Sequence, residues 1–198
     1  GAARVDLRGG VALPGFVDAH QHLLMGGETC TQLDLSDVDG RAGFEARIAE
    51  AHATLAPGRW LIGRGWSEHQ WPDHAKPTAA WLRAAGDRPT VCYRMDLHAA
   101  VVNEAVLARC DLGADPVGGT IVRDADGQPT GLMLEAAAWE LVNPLIPEAT
   151  PEDKFRWLDE AEAMCQRHGI TTVGSMEYSR DVRDVLLARR DALGVRIR

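Results

Sequence analysis

His20 and His22 stand two residues apart in the stretch LPGFVDAHQHL, behind an apolar run that begins at a Pro-Gly corner. Side chains of a strand alternate between its faces, so residues i and i+2 project to the same side. Two neutral imidazoles converging on one point make half of a ligand set for zinc or a similar divalent ion. The plainer reading of a bare H-x-H is two polar side chains at a strand end, hydrogen-bonded to nearby backbone. Asp96 and His98 repeat the spacing at the end of VCYRM. Their plainer reading is a residue approaching a helix beside a satisfied polar histidine. His69 and His74 fall in a Trp-rich loop and read as surface or lid residues. His52 and His168 fall on helices and are most simply solvated.

These groups need elements to hold them. GFVDAHQH reads as a short buried strand that delivers the histidine pair. Upstream, residues 3–13 alternate loosely about Gly9-Gly10, as in a hairpin or the end of a small β-unit. Downstream, Phe44, Ile48 and Leu55 mark one face of a helix over 40–56, stopped by Pro57-Gly58. RWLIGRGW and TVCYRM read as strands, with Thr78 capping a short helix AAWLRAA between them. Asn103 suits the N-cap of EAVLARC. GGTIVRDADGQPTGLML has the form of a hairpin about Asp126-Gly127, and the helix after it carries Glu135.

The clearest helix begins at Thr150, with Pro151 at its first position and Asp153 in a capping-box place; it runs to His168 and ends before Gly169. ITTVGS, RDVRDVLLARRDAL, Gly194 and VRIR then spell strand, helix, terminator and strand. That alternation marks a parallel α/β sheet.

A chain of 198 residues suffices for one large domain or two small ones, and its 45% hydrophobic and 25% charged content is that of a soluble globular protein. The formal net charge of −8 argues against nucleic acid or an anionic membrane as partner. The four cysteines (Cys30, Cys92, Cys110 and Cys165) form no C-x-x-C pair and fit reduced thiols in a cytoplasm. No signal-peptide pattern opens the sequence, and no apolar stretch is long enough to span a bilayer. A cytoplasmic location is the expectation.

LPGFVDAHQHL closely resembles the first-strand signature of the amidohydrolase superfamily, in which proline and glycine lead a buried strand into a metal-binding H-x-H. Asp18 and Ala19 fit that signature, and Gln21 takes its variable middle position. GRGWSEHQWP, RPTVCYRMDLHAAVVNEAVL, GGTIVRDADGQPTGLMLEAA and HGITTVGSME resemble, in that order, landmarks of amidohydrolase family 3, the branch that includes N-substituted formamide deformylases. Two positions depart. Leu97 stands where the family commonly has glycine between Asp and His. Ser67 and then Glu68 follow Gly65-Trp66 where the family often has an acidic residue directly. Both lie in the region that resembles the family's substrate-facing insertion.

The resemblance implies a (β/α)8 barrel with its metal site at the C-terminal ends of the strands. The fold class expected here is α/β: an incomplete barrel portion with a large α+β insertion between the first two barrel strands. Residues 1–13 would end an N-terminal β-unit, 14–23 form the first barrel strand, 24–149 the insertion, and 150–198 a helix-strand-helix-strand segment. One or two divalent ions, zinc by expectation, would be held by His20, His22 and Glu135. Such an ion polarises a carbonyl and activates a bound water, here to cleave a C–N bond of a small, non-peptide, amide-type substrate.

Glu135 would bridge metals; its plainer role is to favour a helix N-terminus electrostatically. Asp96 and His98 would line the substrate pocket, with His98 a donor to substrate or intermediate. Lys76 sits in a proline-flanked loop and Lys154 in the first turn of a helix, so neither suits a metal-bridging carboxylated lysine. Trp60, Trp66, Trp71 and Trp81 read first as a core cluster, and more sharply as a wall for an acyl or aryl group. A closed barrel takes roughly 250 residues, so the chain is expected to be the N-terminal part of a longer hydrolase. The competing expectation is a truncated, non-catalytic remnant that binds a partner or forms a homo-oligomer through unpaired strands.

Overall fold

In the computed structural model, which describes residues 4–198, regular structure opens with β1 (Phe16–Gln21) and α1 (Leu23–Thr31). Then follow β2 (Leu33–Asp34), α2 (Arg41–Thr54), β3 (Leu61–Trp66), β4 (Thr90–Arg94) and β5 (Ala99–Val102). After α3 (Glu104–Leu107) come β6 (Gly119–Arg123) and β7 (Pro129–Glu135). The last are α4 (Pro151–Arg167), β8 (Ile170–Ser175) and β9 (Arg196–Ile197). The fold is mixed α/β, in two compact units. Residues 4–31 with Ala149–Arg198 form one, and Gln32–Glu148 the other. No helix among the described residues is long and apolar enough to cross a membrane.

The first unit holds a three-stranded parallel sheet in the order β1-β8-β9. Its main helix, α4, starts on a full capping box: Thr150 Oγ1 accepts from the Asp153 N–H at 3.1 Å, and Asp153 Oδ2 accepts from the Thr150 N–H at 3.0 Å. Two orphan donors of the first turn are thereby satisfied. Leu158, Ala161 and Cys165 recur at helical spacing on the buried face and meet Leu23, Leu24 and Val173 in one core. Gly27 lets α1 lie against α4; a Cβ there would fall 1.8 Å from the Trp157 carbonyl oxygen.

The second unit holds a six-stranded sheet in the order β2-β3-β4-β5-β7-β6. Pairing is parallel from β2 to β4 and antiparallel from β4 to β6. Both faces are covered. Along β4, Cys92 joins one core cluster while Val91 and Tyr93 join the other, and along β5 Ala99 and Val101 alternate with Ala100 and Val102 in the same way. A sheet buried on both faces needs such continuous apolar strands. Trp66, Trp71, Trp81 and Phe44 interlock in the first cluster, with Trp71 stacked on both Trp66 and Trp81. The core-cluster reading holds for these three tryptophans, whereas Trp60 is partly buried against the cluster on the other face. Trp66 and Trp71 each donate their indole N–H to a backbone carbonyl, of Cys92 and Val38 respectively.

Several expectations are corrected. The run GFVDAHQH is not buried: Phe16 and Val17 are 58% and 68% exposed, and among the described residues β1 pairs with β8 alone. Residues 4–15 form no strand; Gly10 N–H closes a turn on Leu7 O at 2.8 Å with no ladder beside it, and an unsupported two-stranded ribbon is marginal. The remainder of that expected unit, residues 1–3, lies outside the described residues. Glu135 is not on a helix but is the last residue of β7, at φ 53°. Asp96 and His98 follow the end of β4 as expected, but the turn that holds them leads into a strand, β5, and not a helix.

The expected helix RDVRDVLLARRDAL is helical over 179–189 only, and carries a π-type turn at Val182–Leu186. His52 is not simply solvated, since its Nδ1 accepts from Arg88 Nε at 3.2 Å. Asn103 stands at the N-cap of α3 but makes no capping bond with its side chain.

Candidate functional site

The imidazoles of His20 and His22 lie edge to face at the exposed end of β1, with ring centroids 5.5 Å apart. The register of β1 on β8 pairs Gln21 with Ser175, so the chain beyond β8 passes beside the histidines. There the Met176 N–H donates to Gln21 O at 2.8 Å, and His22 Nδ1 donates to Met176 O at 2.8 Å. A carbonyl only accepts, so Nδ1 carries the proton and Nε2 of the neutral ring keeps its lone pair. Metal-ligating histidines are oriented in this way, by a bond from the second ring nitrogen. Asp18 Oδ1 accepts from the His20 N–H at 3.1 Å, inside the stretch where the register of β1 on β8 shifts.

At the end of β8 and just beyond it, Ser175 Oγ and Glu177 Oε1 accept from the Leu23 and Leu24 N–H groups at 3.1 Å each. They satisfy the first donors of α1 and fix where the helix leaves His22. Two imidazoles fit part of a metal-ligand set, and zinc normally takes three or four protein ligands. Among the described residues, no group of three or more His, Cys, Asp or Glu side chains is placed to hold a metal ion.

The second unit has a cavity of about 200 Å³ lined by residues that include Trp66, Glu68, Arg94, His98, Leu134 and Glu135. Strand register builds it. Ala99 pairs with Leu134 between β5 and β7, so one step further His98 faces Glu135. The Glu135 N–H donates to His98 O at 2.8 Å, and His98 Nδ1 donates to Glu135 Oε2 at 2.7 Å. That carboxylate holds the imidazole above its ordinary range, through the hydrogen bond first and its charge second. Trp139 packs edge-on against the His98 ring and donates its indole N–H to Leu97 O at 3.0 Å.

Arg94, at the end of β4, bridges two carboxylates. Its Nε and Nη2 grip Asp96 Oδ1 and Oδ2 at 2.9 Å each, and its Nη1 reaches Glu68 Oε1 at 3.2 Å. The Asp96 carboxyl is held below its usual range, mainly by the Arg94 hydrogen bond, and it also accepts the His98 N–H at 3.0 Å. Asp96 therefore fixes the turn and the guanidinium; it is not among the residues that line the cavity. Leu97, between them, has φ 65°. This is the left-handed region that glycine enters without steric cost and leucine does not.

Sequence reasoning thus placed His98 and Glu135 as candidates, and the structure joins them in one pair. His20 and His22 are joined in the other unit. Glu68, which the sequence showed only as a departure from the resembling family, joins His98 and Glu135 in the cavity lining.

A family model described as the amidohydrolase family matches residues 3–193. The chain belongs to the amidohydrolase family. Protein LONG AFTER FAR-RED 3 of Arabidopsis thaliana is 35% identical over 177 residues, which cover 87% of this chain and 30% of that protein. N-substituted formamide deformylase of Arthrobacter pascens is 33% identical over 140 residues, covering 68% of this chain and 26% of that enzyme. The crystal structure of an uncharacterised metal-dependent hydrolase from Pyrococcus horikoshii OT3 shares the fold. Its TM-score is 0.67 at 24% identity, over 93% of this chain and 35% of that one. The chain spans under a third of the length of these two curated relatives.

Proposed function

We propose that this chain forms part of a metal-dependent hydrolase that cleaves a C–N bond of a small, non-peptide, amide-type substrate, with His20 and His22 among its metal ligands. The observation that carries the reading is the His22 ring, held by Met176 O through Nδ1 with Nε2 left to ligate. Family membership supports the hydrolytic class, and a relative named N-substituted formamide deformylase supports an amide-type substrate. A divalent ion, zinc by its preference for imidazole, supplies an activated water and a polarised carbonyl when bound. The parallel order β1-β8-β9, with Gln32–Glu148 interposed between its first two strands, supports the further proposal of a (β/α)8 barrel carrying an insertion.

In this reading His20 and His22 hold the ion, and the Met176 carbonyl keeps one of them in its ligating tautomer. Within the second unit by itself, His98, fixed by Glu135, offers Nε2 to a polar group of a ligand in the cavity that it lines. The test is elemental analysis of the full-length protein of which this chain forms part, beside its His20→Ala/His22→Ala variant. The variant is expected to lose divalent metal; equal content in both proteins would sink the proposal.

A further inference from the structure

Ser175, Met176 and Glu177 run past the end of β1 and meet Gln21, His22, Leu23 and Leu24 within the first unit. Ser175 Oγ accepts from the Leu23 N–H at 3.1 Å and gives its own proton to Glu177 Oε1 at 2.6 Å. The same Glu177 oxygen accepts from the Leu24 N–H at 3.1 Å. Between them, Met176 is tied to Gln21 O through its N–H and to the His22 ring through its carbonyl, at 2.8 Å each. The carbonyl that fixes the ring thus lies in a short strap whose far end is held by a carboxylate.

That carboxylate is well placed to hold. It sits against the first turn of α1, where a helix presents unpaired N–H groups and the positive end of its dipole. Its bonds are charge-assisted, and such bonds are roughly twice as strong as neutral ones. Among the described residues it belongs to no group of three or more side chains placed to hold an ion, so its bonds serve the strap.

We infer that Glu177 is a positioning residue. By clamping the strap onto α1 it keeps the Met176 carbonyl on Nδ1 of His22, and so holds the imidazole in the tautomer whose Nε2 can ligate. A neutral ring with no partner at Nδ1 can carry its proton on either nitrogen, and a proton on Nε2 blocks that atom as a ligand. The consequence for a metal rests on the reading proposed above; partners that orient a ligating histidine are typically worth roughly 10–100-fold in metal affinity. The state of the ring itself does not depend on that reading.

The experiment uses the full-length protein, labelled with 15N-histidine, freed of metal by a chelator and frozen from about pH 9, where an ordinary imidazole is neutral. Magic-angle-spinning NMR separates protonated from unprotonated ring nitrogens, and His22 is the signal lost in His22→Gln. The unaltered protein is expected to carry the His22 proton on Nδ1. Glu177→Ala is expected to move a large share of the rings to the Nε2–H form. Glu177→Gln, which keeps an oxygen for the Leu24 N–H and the Ser175 hydroxyl, is expected to retain the Nδ1–H form.

An unaltered protein with the proton on Nε2, a Glu177→Ala protein that keeps it on Nδ1, or a Glu177→Gln ring displaced as far as that of Glu177→Ala would each overturn the inference. If Glu177→Ala does not fold, Ser175→Ala decides in its place. It removes one oxygen and the inner tie of the strap, so it should shift the ring the same way, and an unchanged ring would overturn the inference. The ring is observed without metal, so this inference and the assignment of His20 and His22 as ligands fail separately.

Discussion

His98 and Glu135 face each other across β5 and β7, one residue beyond the paired Ala99 and Leu134, with Nδ1 of one 2.7 Å from Oε2 of the other. A strand register and a turn place this pair; neither residue is on a helix. It is also an electrostatic device. The imidazole's affinity for a proton depends on a partner 37 positions away in sequence.

The pair predicts the titration of His98. Its folded pKa lies above the unfolded value of about 6.5, so whatever stability the pair contributes is complete below that pH and is lost as pH rises through the folded pKa. Glu135→Gln should return the His98 pKa towards the ordinary range. Asp96→Asn should lower it by less, because Asp96 acts on the ring only through its charge and ranks behind Glu135. NMR titration of the imidazole protons in the three proteins is the measurement. A larger drop for Asp96→Asn than for Glu135→Gln would refute the assignment.

Leu97 predicts a gain of glycine over alanine. A leucine at φ 65° carries about 1–2 kcal/mol of left-handed strain, and glycine removes it while loosening the unfolded chain by about 0.4–1 kcal/mol. Leu97 is 43% exposed, so more than half of the residue is packed, and alanine is the reference that loses the same contacts. Leu97→Gly should be more stable than Leu97→Ala by about 0.5–1 kcal/mol, the difference of those terms. In urea unfolding, read by fluorescence of the buried Trp66, Trp71 and Trp81, the glycine variant should have the higher midpoint of the two; a lower one would show that the strain is absent.

Thr150 predicts a loss in the other unit. Thr150→Ala removes the side-chain acceptor for the Asp153 N–H and breaks the capping box, at a cost of about 1 kcal/mol. Thr150→Ser should restore most of it, because serine offers the same oxygen. Thermal unfolding followed by circular dichroism distinguishes the two variants, and equal midpoints for them would show that the cap contributes nothing.

Elements governed by local chemistry were legible in the sequence. The capping box at Thr150, Gly169 at φ 71° and the strand ITTVGS all stand where residue types require them. The β6–β7 hairpin was also legible, although Asp124, which accepts from the Asp126 and Gln128 N–H groups, organises its turn. What could not be read depends on long-range pairing. β5, AAVV, has neither turn signals of its own nor alternating polarity, because the sheet is covered on both faces.

The candidate site divides in the same manner. His20 and His22 were visible as a spacing, and His98 and Glu135 through the resemblance. Glu68 took its place beside His98 and Glu135 only when the cavity could be seen.

Asn103 separates a local reading from a long-range one. At the N-cap of α3, Asp and Asn are nearly equivalent, so a capping role predicts that Asn103→Asp is almost neutral. The structure uses the side chain otherwise. Asn103 is 3% exposed; its Oδ1 accepts from the Thr90 N–H at 3.1 Å, and its Nδ2 donates to Gly86 O at 3.2 Å and Arg88 O at 2.8 Å. It therefore ties the start of β4 to the loop before it. Aspartate keeps the acceptor but loses both donors, and it sets a carboxylate against two carbonyl oxygens with almost no water to screen them. Asn103→Asp should destabilise by about 2–4 kcal/mol, the range for unmatched buried polar groups. Denaturant unfolding at neutral pH measures it, and lowering the pH should recover part of the loss as the carboxyl regains a proton to donate. A variant as stable as the parent would return Asn103 to the role of a simple helix cap.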